Sequence, residues 1–395
     1  MRNRNRAIVA VVGSVAAGSL ALAGCSTTSS GGTTPETPIG GPVVDLLAAG
    51  CPSTIVVQTD WNPEADHGQL YQMVGPGYTV DADKKSVTGP LYYKGAVTNV
   101  DIEVRSGGPA IGYQTVTSQM YADDAITLGY VSTDEAVQFS ATQPTVAVFA
   151  ENDKSPQMIM WDPATYPDVK DFEDLSAALK ASGGVIRYFG GAAYMDYLTG
   201  SGIIDKSIVD GTYDGTPVKF AAAQGKDAQQ GFATAEPYIY QYETPAWGKP
   251  VSYQLVYDNG YPIYPEAISV RADRLDELSD CLKALIPVFQ QADVDYFADP
   301  SGANKLIVDL VTQYNNGWIY DEAVADYGVE TMKEQKIATD GDNGYVGDMD
   351  EARIQQIIDI DTPIYTAGGN TPKAGLKPSD LYTNEFLDTS IGLGF

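Results

Sequence analysis

The fold is decided by one stretch near the start of the chain: Thr54-Ile55-Val56-Val57-Gln58-Thr59-Asp60-Trp61-Asn62-Pro63-Glu64-Ala65-Asp66-His67-Gly68. Its first residues are apolar and β-branched, which predicts a buried strand, and the polar turn after them leads toward a helix. In open α/β sheets, ligands bind beyond the carboxyl ends of the strands. The turn offers Asp60, Trp61 and His67 at such a place, so we expect these three side chains to contact a ligand.

The rest of the chain continues this pattern. Short apolar runs alternate with helix-like stretches, which predicts an α/β protein with largely parallel strands. The predicted strands are residues 54–58, 102–104, 126–128, 146–149, 158–160, 185–188, 218–220, 253–257 and 267–270. The predicted helices begin near Asp66, Ala110, Thr133, Phe172, Ala192, Gln224 and Asp273, with three or four more toward the carboxyl terminus.

The length indicates two domains, because a single core rarely grows beyond about 250 to 300 residues and this chain has 395. Two stretches, residues 144–153 and 257–265, look like crossings between domains. We therefore expect a discontinuous first domain, residues 51–148 and 259–395, and a second domain over residues 149–258. Two crossings imply a two-strand hinge.

The charge excludes one class of partner. The chain has 52 acidic and 24 basic side chains, a formal net charge of -28. Its field repels nucleic acid, which we exclude as a partner. One histidine and three cysteines cannot build a multi-histidine or four-cysteine zinc site. We expect neither a metal nor a cofactor.

One acidic stretch, residues 340–351, partly matches a calcium-binding loop. Asp340, Asp342 and Glu351 stand at positions 1, 3 and 12, but position 6 is Tyr345, where the turn needs glycine. An acidic surface loop is the favoured interpretation, with calcium as the alternative.

The amino terminus has the layout of a secretory signal. Arg2, Arg4 and Arg6 precede the uncharged residues 7–23. This run is short and weakly apolar beside the roughly 20 residues of a membrane span, so a permanent helix is the lesser alternative. We expect export.

The end of that run, Leu22-Ala23-Gly24-Cys25, resembles the bacterial lipobox. The prediction is cleavage after residue 24 and lipidation of Cys25, with an ordinary signal peptide and a chance cysteine as the alternative. Residues 25–50, rich in Ser, Thr, Gly and Pro over most of their length, would form a flexible tether. The mature protein would be anchored to the outer face of a bacterial cell membrane.

The two remaining cysteines, Cys51 and Cys281, form an even pair in an oxidising compartment, which predicts a disulfide. The alternative is two buried thiols, because Cys281 continues the apolar stripe of an amphipathic helix with Leu278, Leu282 and Leu285.

Three further turns follow predicted strands, at residues 129–134, 189–194 and 229–238. Their candidate ligand contacts are Tyr130, Thr133, Asp134, Gly190, Gly191, Tyr194, Glu236 and Tyr238. The structural alternatives are helix capping for Asp60, Thr133 and Asp134, core packing for Trp61, Tyr130 and Tyr194, and turn formation for Gly190 and Gly191. Together the four turns describe a cleft of aromatic rings and carboxylates, which suits a flat, neutral or cationic ring. Anionic solutes fit poorly unless Arg105 or Arg187 enters the cleft.

Catalytic motifs are weak in this sequence. No serine lies in a Gly-x-Ser-x-Gly elbow and no Walker loop is present. Catalysis by a Ser/His/Asp triad would depend wholly on His67.

The first turn also carries a family resemblance. Asp60-Trp61-x-Pro63-x-x-x-His67 is similar to the Asp-Trp-x-Pro-Asn-x-x-His signature of thiamine-pyrimidine precursor binders. These are lipoprotein substrate-binding proteins of ABC importers, in a branch that also includes nitrate, sulfonate and taurine binders. Glu64 replaces the asparagine of that signature, and the histidine comes one position later. Further matches are Gly231-Phe232-x-x-x-Glu236-Pro237-Tyr238, Tyr213-Asp214-Gly215 and Asn384-Glu385-Phe386.

The resemblance, which covers Thr54 to the end, implies a type II periplasmic-binding-protein fold with two α/β lobes that close on a ligand about a two-strand hinge. It implies Asp60, Trp61 and His67 as contacts from the first lobe and Glu236 as a contact from the second. The implied function is capture of a small pyrimidine-like heterocycle by a monomer that delivers it to an ABC permease. The alternative is a secreted enzyme on the same fold that acts on a pyrimidine-like substrate through His67. An iron-dependent fungal pyrimidine synthase belongs to this branch, but its cysteine-rich iron motif is missing here. A surface adhesion or structural role is the remaining possibility.

Overall fold

The structure is a computed structural model and describes residues 43–395. The predicted signal peptide, the lipidation at Cys25 and most of the predicted tether lie outside the described residues. The first described segment is packed against the body of the protein, because Leu46 is buried and its amide donates to Oδ1 of Asn99 at 3.1 Å. Among residues 43–395, no helix has the length and apolar character needed to span a membrane.

The strands form two sheets. They are β1 (Thr54–Gln58), β2 (Thr79–Asp81), β3 (Ser86–Tyr93), β4 (Ala96–Arg105), β5 (Leu128–Tyr130), β6 (Thr145–Ala150), β7 (Gln157–Trp161), β8 (Ile186–Arg187), β9 (Val209–Asp210), β10 (Ala228–Phe232), β11 (Ser252–Leu255) and β12 (Ala267–Arg271). The first sheet has seven strands in the order β2-β3-β4-β1-β5-β12-β6, and the second sheet has five in the order β11-β7-β10-β8-β9.

Both sheets are mixed. In the first sheet, β1 is parallel to β4 and β5, and the other pairs are antiparallel. In the second sheet, β8 is parallel to β9 and β10, whereas β7 is antiparallel to β10 and β11. The prediction of largely parallel strands is therefore wrong. For example, β12, the strand that follows the second crossing between the sheets, runs antiparallel to its neighbours β5 and β6.

The helices are α1 (Gly68–Gln72), α2 (Val116–Ala122), α3 (Thr133–Phe139), α4 (Phe172–Ser182), α5 (Ala193–Gly200), α6 (Val218–Ala222), α7 (Glu236–Tyr238), α8 (Leu275–Ala298), α9 (Ser301–Tyr314), α10 (Glu322–Glu334) and α11 (Glu351–Ala367). Several begin at an aspartate whose carboxylate accepts a free backbone amide of the first turn. Asp171 caps α4, Asp321 caps α10 and Asp350 caps α11 in this way. These caps explain where the helices start.

Two predicted elements are wrong. Residues 218–220, predicted as a strand, belong to α6, where buried Phe220 packs against Tyr240 and Trp247. The helix predicted near Gln224 is instead a turn leading to β10. In both cases tertiary packing overrides a weak local pattern.

The chain crosses between the sheets twice, after β6 and after β11, and one side chain holds both crossings. Arg353 of α11 pairs with Asp153 in the first crossing at 2.9 Å. It also donates to the carbonyls of Pro262 and Ile263 in the second crossing, at 2.6 and 2.8 Å. Its guanidinium stacks 3.6 Å from the ring centre of Tyr264.

A disulfide joins the segment before β1 to α8. Cys51 and Cys281 are bonded, with their Cα atoms 4.8 Å apart. The predicted apolar stripe of α8 is also present, since Leu278, Leu282 and Leu285 are buried beside Cys281. Both predictions for this helix are confirmed.

The acidic loop at residue 340 has a structural role. The Asp340 carboxylate accepts the amides of Leu393 and Gly394 at 2.6 and 2.7 Å. Because this carboxylate is already hydrogen-bonded to the carboxyl-terminal segment, the structure favours the acidic loop over a calcium site.

Candidate functional site

The turn after β1 is held by the loop after β4. The amide of Gly107 donates to the carbonyl of Trp61 and that of Gly108 to the carbonyl of Asp60, both at 2.8 Å. A Cβ atom at Gly107 would lie 2.3 Å from the carbonyl oxygen of Thr59, so the loop approaches this closely only as glycine. The contact fixes the backbone from which Asp60 and Trp61 project.

His67 lies behind this turn. Its ring is completely buried, and Nε2 is 3.1 Å from Oδ1 of Asp60. The ring packs against Tyr130 with centroids 5.0 Å apart. Tyr130 is buried as well, and its hydroxyl donates to Glu151 and accepts from Gln69 at 2.8 Å. His67 thus orients Asp60. It does not line any of the three cavities described below, although it was predicted as a ligand contact.

A cavity of about 170 Å³ opens between the two sheets. It is lined by Asp60, Trp61, Glu64, Gln157, Phe189, Tyr213, Gln230, Gly231, Phe232, Glu236 and Trp318. The indole of Trp61 makes edge contacts with Phe189 at 6.0 Å and with Trp318 at 6.1 Å. Residues that follow strands of both sheets therefore share one aromatic-walled space, which has the character of a ligand site.

Two carboxyl groups of this cavity come from opposite sheets. Oε2 of Glu236, just beyond β10, accepts the Phe232 amide at 2.7 Å. Burial raises the pKa of Glu236 to about 7. Burial, together with Asp66, Glu266 and Asp60, raises the pKa of Glu64 well above its usual range.

A second cavity of about 200 Å³ adjoins the first and shares Asp60, Gln157 and Phe232 with it. Asp134 and Tyr194 line it. The Tyr194 hydroxyl donates at 3.0 Å to Gln230, which lines the first cavity. The two spaces are thereby connected through hydrogen bonds.

Asp134 is tied into its own turn, and Thr133 is turned away. The Asp134 carboxylate accepts from the Ser132 hydroxyl and from the Glu135 amide at 3.0 Å. Thr133 is buried, and its hydroxyl accepts the Tyr264 amide at 3.0 Å. Thr133 thus joins the start of α3 to the second crossing.

The two glycines after β8 differ. Gly190 lines a wider opening of about 510 Å³ together with Tyr113 and Asp214. A Cβ atom at Gly190 would lie 2.9 Å from the Gly211 carbonyl oxygen. Gly191 has φ +91 with open space around it, so its place is a turn.

Tyr238 was predicted as a ligand contact, but it packs among other tyrosines outside the cavities. Its ring packs against Tyr242 and Tyr327, at centroid distances of 4.6 and 5.5 Å. It is not a lining residue of the three cavities described above.

The two arginines considered from the sequence are paired elsewhere. Arg105 bonds to Glu103 and Asp123 at 2.7 and 2.8 Å. Arg187 bonds to Asp227 at 2.7 Å. Among residues 43–395, the linings of the three cavities contain neither lysine nor arginine.

One group has the composition of a metal site. Ligand atoms of Asp60, His67 and Glu266 lie within 4.8 Å of one another. Asp60 pairs with Nε2 of His67, and Glu266 accepts from the Asn152 side chain, whereas the buried Nδ1 of His67 has no partner among the described residues. Hydrogen bonding therefore accounts for the positions of Asp60 and Glu266.

Several lining residues were not predicted: Glu64, Gln157, Phe189, Tyr213, Gln230, Phe232 and Trp318. Phe189 and Glu64 stand in turns that the sequence singles out, so a search of every side chain in those turns would have found them. Trp318 lies in a loop between α9 and α10, remote from any predicted strand end. No local pattern indicates its position.

Solved structures of low sequence identity share this architecture. The periplasmic nitrate-binding protein NrtA from Synechocystis PCC 6803 is 14% identical, with a TM-score of 0.55 over 88% of this chain and 88% of that one. The periplasmic aliphatic sulphonate binding protein SsuA from Escherichia coli is 14% identical, with a TM-score of 0.50 over 82% and 90%. The alkanesulfonate-binding protein SsuA from Xanthomonas axonopodis pv. citri, bound to MOPS, is 12% identical, with a TM-score of 0.50 over 84% and 99%.

No protein-family model matches the chain, and no curated protein matches it. The structural likeness and the two sheets confirm the predicted fold class. The chain has the periplasmic-binding-protein fold, in which two α/β lobes are joined by two crossings.

Proposed function

We propose that this protein is an extracytoplasmic solute-binding protein of an ABC importer, which captures a small heterocycle and delivers it to a permease. The observation that carries the proposal is the cavity between the sheets, to which Asp60 and Trp61 contribute from one side and Glu236 from the other. Such a site is suited to binding without chemistry. His67, on which a catalytic role would depend, is completely buried behind Asp60.

The proposal assigns residues 51–148 and 259–395 to the first lobe and residues 149–258 to the second. The described chain passes between the sheets near both boundaries. The Thr234 hydroxyl, after β10, donates to Asp66, after β1, at 2.8 Å. A bond of this kind is made when the lobes approach, so ligand binding would shift the population toward the closed state.

The ligand class follows from charge. The similar structures are named for nitrate and sulfonates, but this cavity is lined by Asp60, Glu64 and Glu236. Carboxylates repel anions and accept from N–H donors. We therefore propose a neutral or cationic ring, such as a pyrimidine-like compound, over an oxyanion.

The cellular setting is part of the same proposal. An exported, monomeric protein anchored through lipid on Cys25 to the outer face of the cell membrane would present its cleft to incoming solute. The partner would be the transmembrane part of an ABC permease.

Native mass spectrometry of protein purified without refolding tests the proposal, with a co-purified small molecule as the expected result. That molecule should bind Asp60→Ala and Glu236→Ala more weakly, by about tenfold or more, since each loses a hydrogen bond to a charged group. Glu173→Ala, an exposed change on α4, is the control. Unchanged affinity in both cavity variants, or turnover of the molecule by the protein, would contradict the proposal.

A further inference from the structure

Glu64 is the one carboxyl group of the cavity that lacks a protein partner. It is 5% exposed and lines the cavity. The other two lining acids each have a protein partner: Asp60 pairs with His67, and Oε2 of Glu236 accepts the Phe232 amide. Within the described residues, no hydrogen bond reaches the Glu64 side chain. A buried carboxyl with open acceptor positions is costly unless a ligand fills them.

The surroundings of Glu64 select the charge of that ligand. The ionisable side chains facing it are the acids Asp66, Glu266, Asp60 and Glu236, and the phenols of Tyr71 and Tyr320 lie near it. An anion placed here would be repelled by every acid that is ionised. A cation would satisfy Glu64 and favour ionisation of these acids.

The walls of the cavity select the shape. Trp61, Phe189 and Trp318 meet edge to face around it, and aromatic faces attract organic cations. The site thus offers carboxylate acceptors on one side and ring faces around it.

We propose that Glu64 makes this cleft selective for a planar organic cation, whose N–H groups donate to Glu64 and Glu236 while its ring packs against Trp61 and Phe189. An amidine or a protonated amino-substituted nitrogen heterocycle has this chemistry. This inference rests on the proposed binding function and adds the charge of the solute and the residue that selects it.

Three probes with the same ring and different charges test the inference: benzamidine as the cation, benzamide as the neutral compound and benzoate as the anion. We expect isothermal titration calorimetry of the full chain at pH 7 to show benzamidine binding at least about tenfold tighter than benzamide, with benzoate weakest. Glu64→Gln keeps the shape and removes the carboxyl group that a bound cation would ionise. It should weaken benzamidine by about tenfold to 100-fold, as expected for loss of a charge-assisted bond, and leave benzamide within about twofold.

Two further variants complete the design. Glu64→Asp keeps the charge and should retain the preference for benzamidine, which separates charge from any effect on folding. Glu173→Gln makes the same change of charge on the exposed face of α4 and should change nothing.

The outcomes separate the two proposals. Failure of benzamidine to bind, equal binding of benzamide or benzoate, or a preference retained in Glu64→Gln would overturn the cation inference. A co-purified neutral or anionic molecule that depends on Asp60 and Glu236 would overturn it while supporting the binding function. Benzamidine binding that ignores Glu64, Asp60 and Glu236 alike would overturn both.

Discussion

At the scale of single residues, the turn after β1 divides its side chains between contact and support. Asp60, Trp61 and Glu64 line the cavity. His67 and Asp66 are buried, and each is hydrogen-bonded, to Asp60 and to Thr234 respectively. A supporting residue of this kind keeps a contact residue in one rotamer, so binding does not have to fix it.

Gly68, which starts α1, lies directly on the ring of Tyr296. A Cβ atom there would stand 2.0 Å from Cζ of Tyr296. The ring is 1% exposed and its hydroxyl donates to Asn304 at 2.9 Å, so it cannot retreat. We predict that Gly68→Ala lowers the free energy of unfolding by about 1 to 3 kcal/mol, measured by urea denaturation.

The control is Gly302→Ala in α9, where an added Cβ meets nothing within 4 Å. Gly302 is the second residue of α9, where propensity counts for less than in the helix interior, so we expect no loss of stability and a gain of at most about 0.5 kcal/mol. Equal effects of the two substitutions would contradict the steric argument for Gly68.

Sequence reasoning locates the site better than it assigns the roles of its residues. Asp60, Trp61 and Glu236 were predicted as contacts and line the cavity. His67 was predicted as a contact too, and it lies one layer deeper. Periodicity indicates which turn ends a strand, but whether a side chain in that turn faces the cavity or the interior depends on partners such as Tyr130, which are remote in sequence.

At the scale of elements, the disulfide ties the entry of β1 to α8. The bond spans a sequence separation of 230 residues, and closing so long a loop restricts the unfolded chain strongly. We predict that the double variant Cys51→Ser, Cys281→Ser loses about 3 to 5 kcal/mol of unfolding free energy. Urea denaturation measures this loss, because the unfolding free energy is the midpoint concentration multiplied by the m-value.

Reduction supplies the check. Dithiothreitol should lower the midpoint of the wild type toward that of the double variant and leave the double variant unchanged. If dithiothreitol leaves the urea midpoint of the wild type unchanged, the predicted contribution of the disulfide to stability is wrong.

The elements missed from the sequence have local causes. The hairpin of β2 and β3 was not predicted, and β3 contains Gly89 and Pro90, which ordinarily argue against a strand. Its pairing with β4 is irregular between Pro90 and Tyr92, so the strand accommodates proline at a bulge. By contrast β1, whose residues 55–58 are all buried, is predicted with its observed bounds because packing and local pattern agree.

At the scale of the whole molecule, buried acids set the response to pH. Burial raises the pKa of Asp66 to about 6, of Glu135 to about 7 and of Asp361 to about 8. A group whose pKa is raised by folding stabilises fully below its unfolded pKa, and that contribution is lost as the pH rises through the folded pKa. We predict that the free energy of unfolding falls as the pH rises from about 5 to 8.

Glu135 isolates one contribution because it is not a lining residue of the cavities. Glu135→Gln should reduce the pH-dependent loss by roughly 3 kcal/mol, at about 1.4 kcal/mol for each unit of pKa shift. Glu173→Gln, which is exposed, should leave the slope unchanged. Stability that increases over this pH range would contradict the prediction.

Arg353 holds the two crossings between the sheets together. Because Arg353 binds both crossings, a rotation of one sheet against the other would have its axis close to α11, and displacement would grow with distance from that axis. Tyr113 and Asp214 line the wide opening together and are exposed. If the proposed binding function holds, an environment-sensitive dye attached at either position would convert solute capture into an optical signal, and this chain would be a scaffold for a biosensor of that solute.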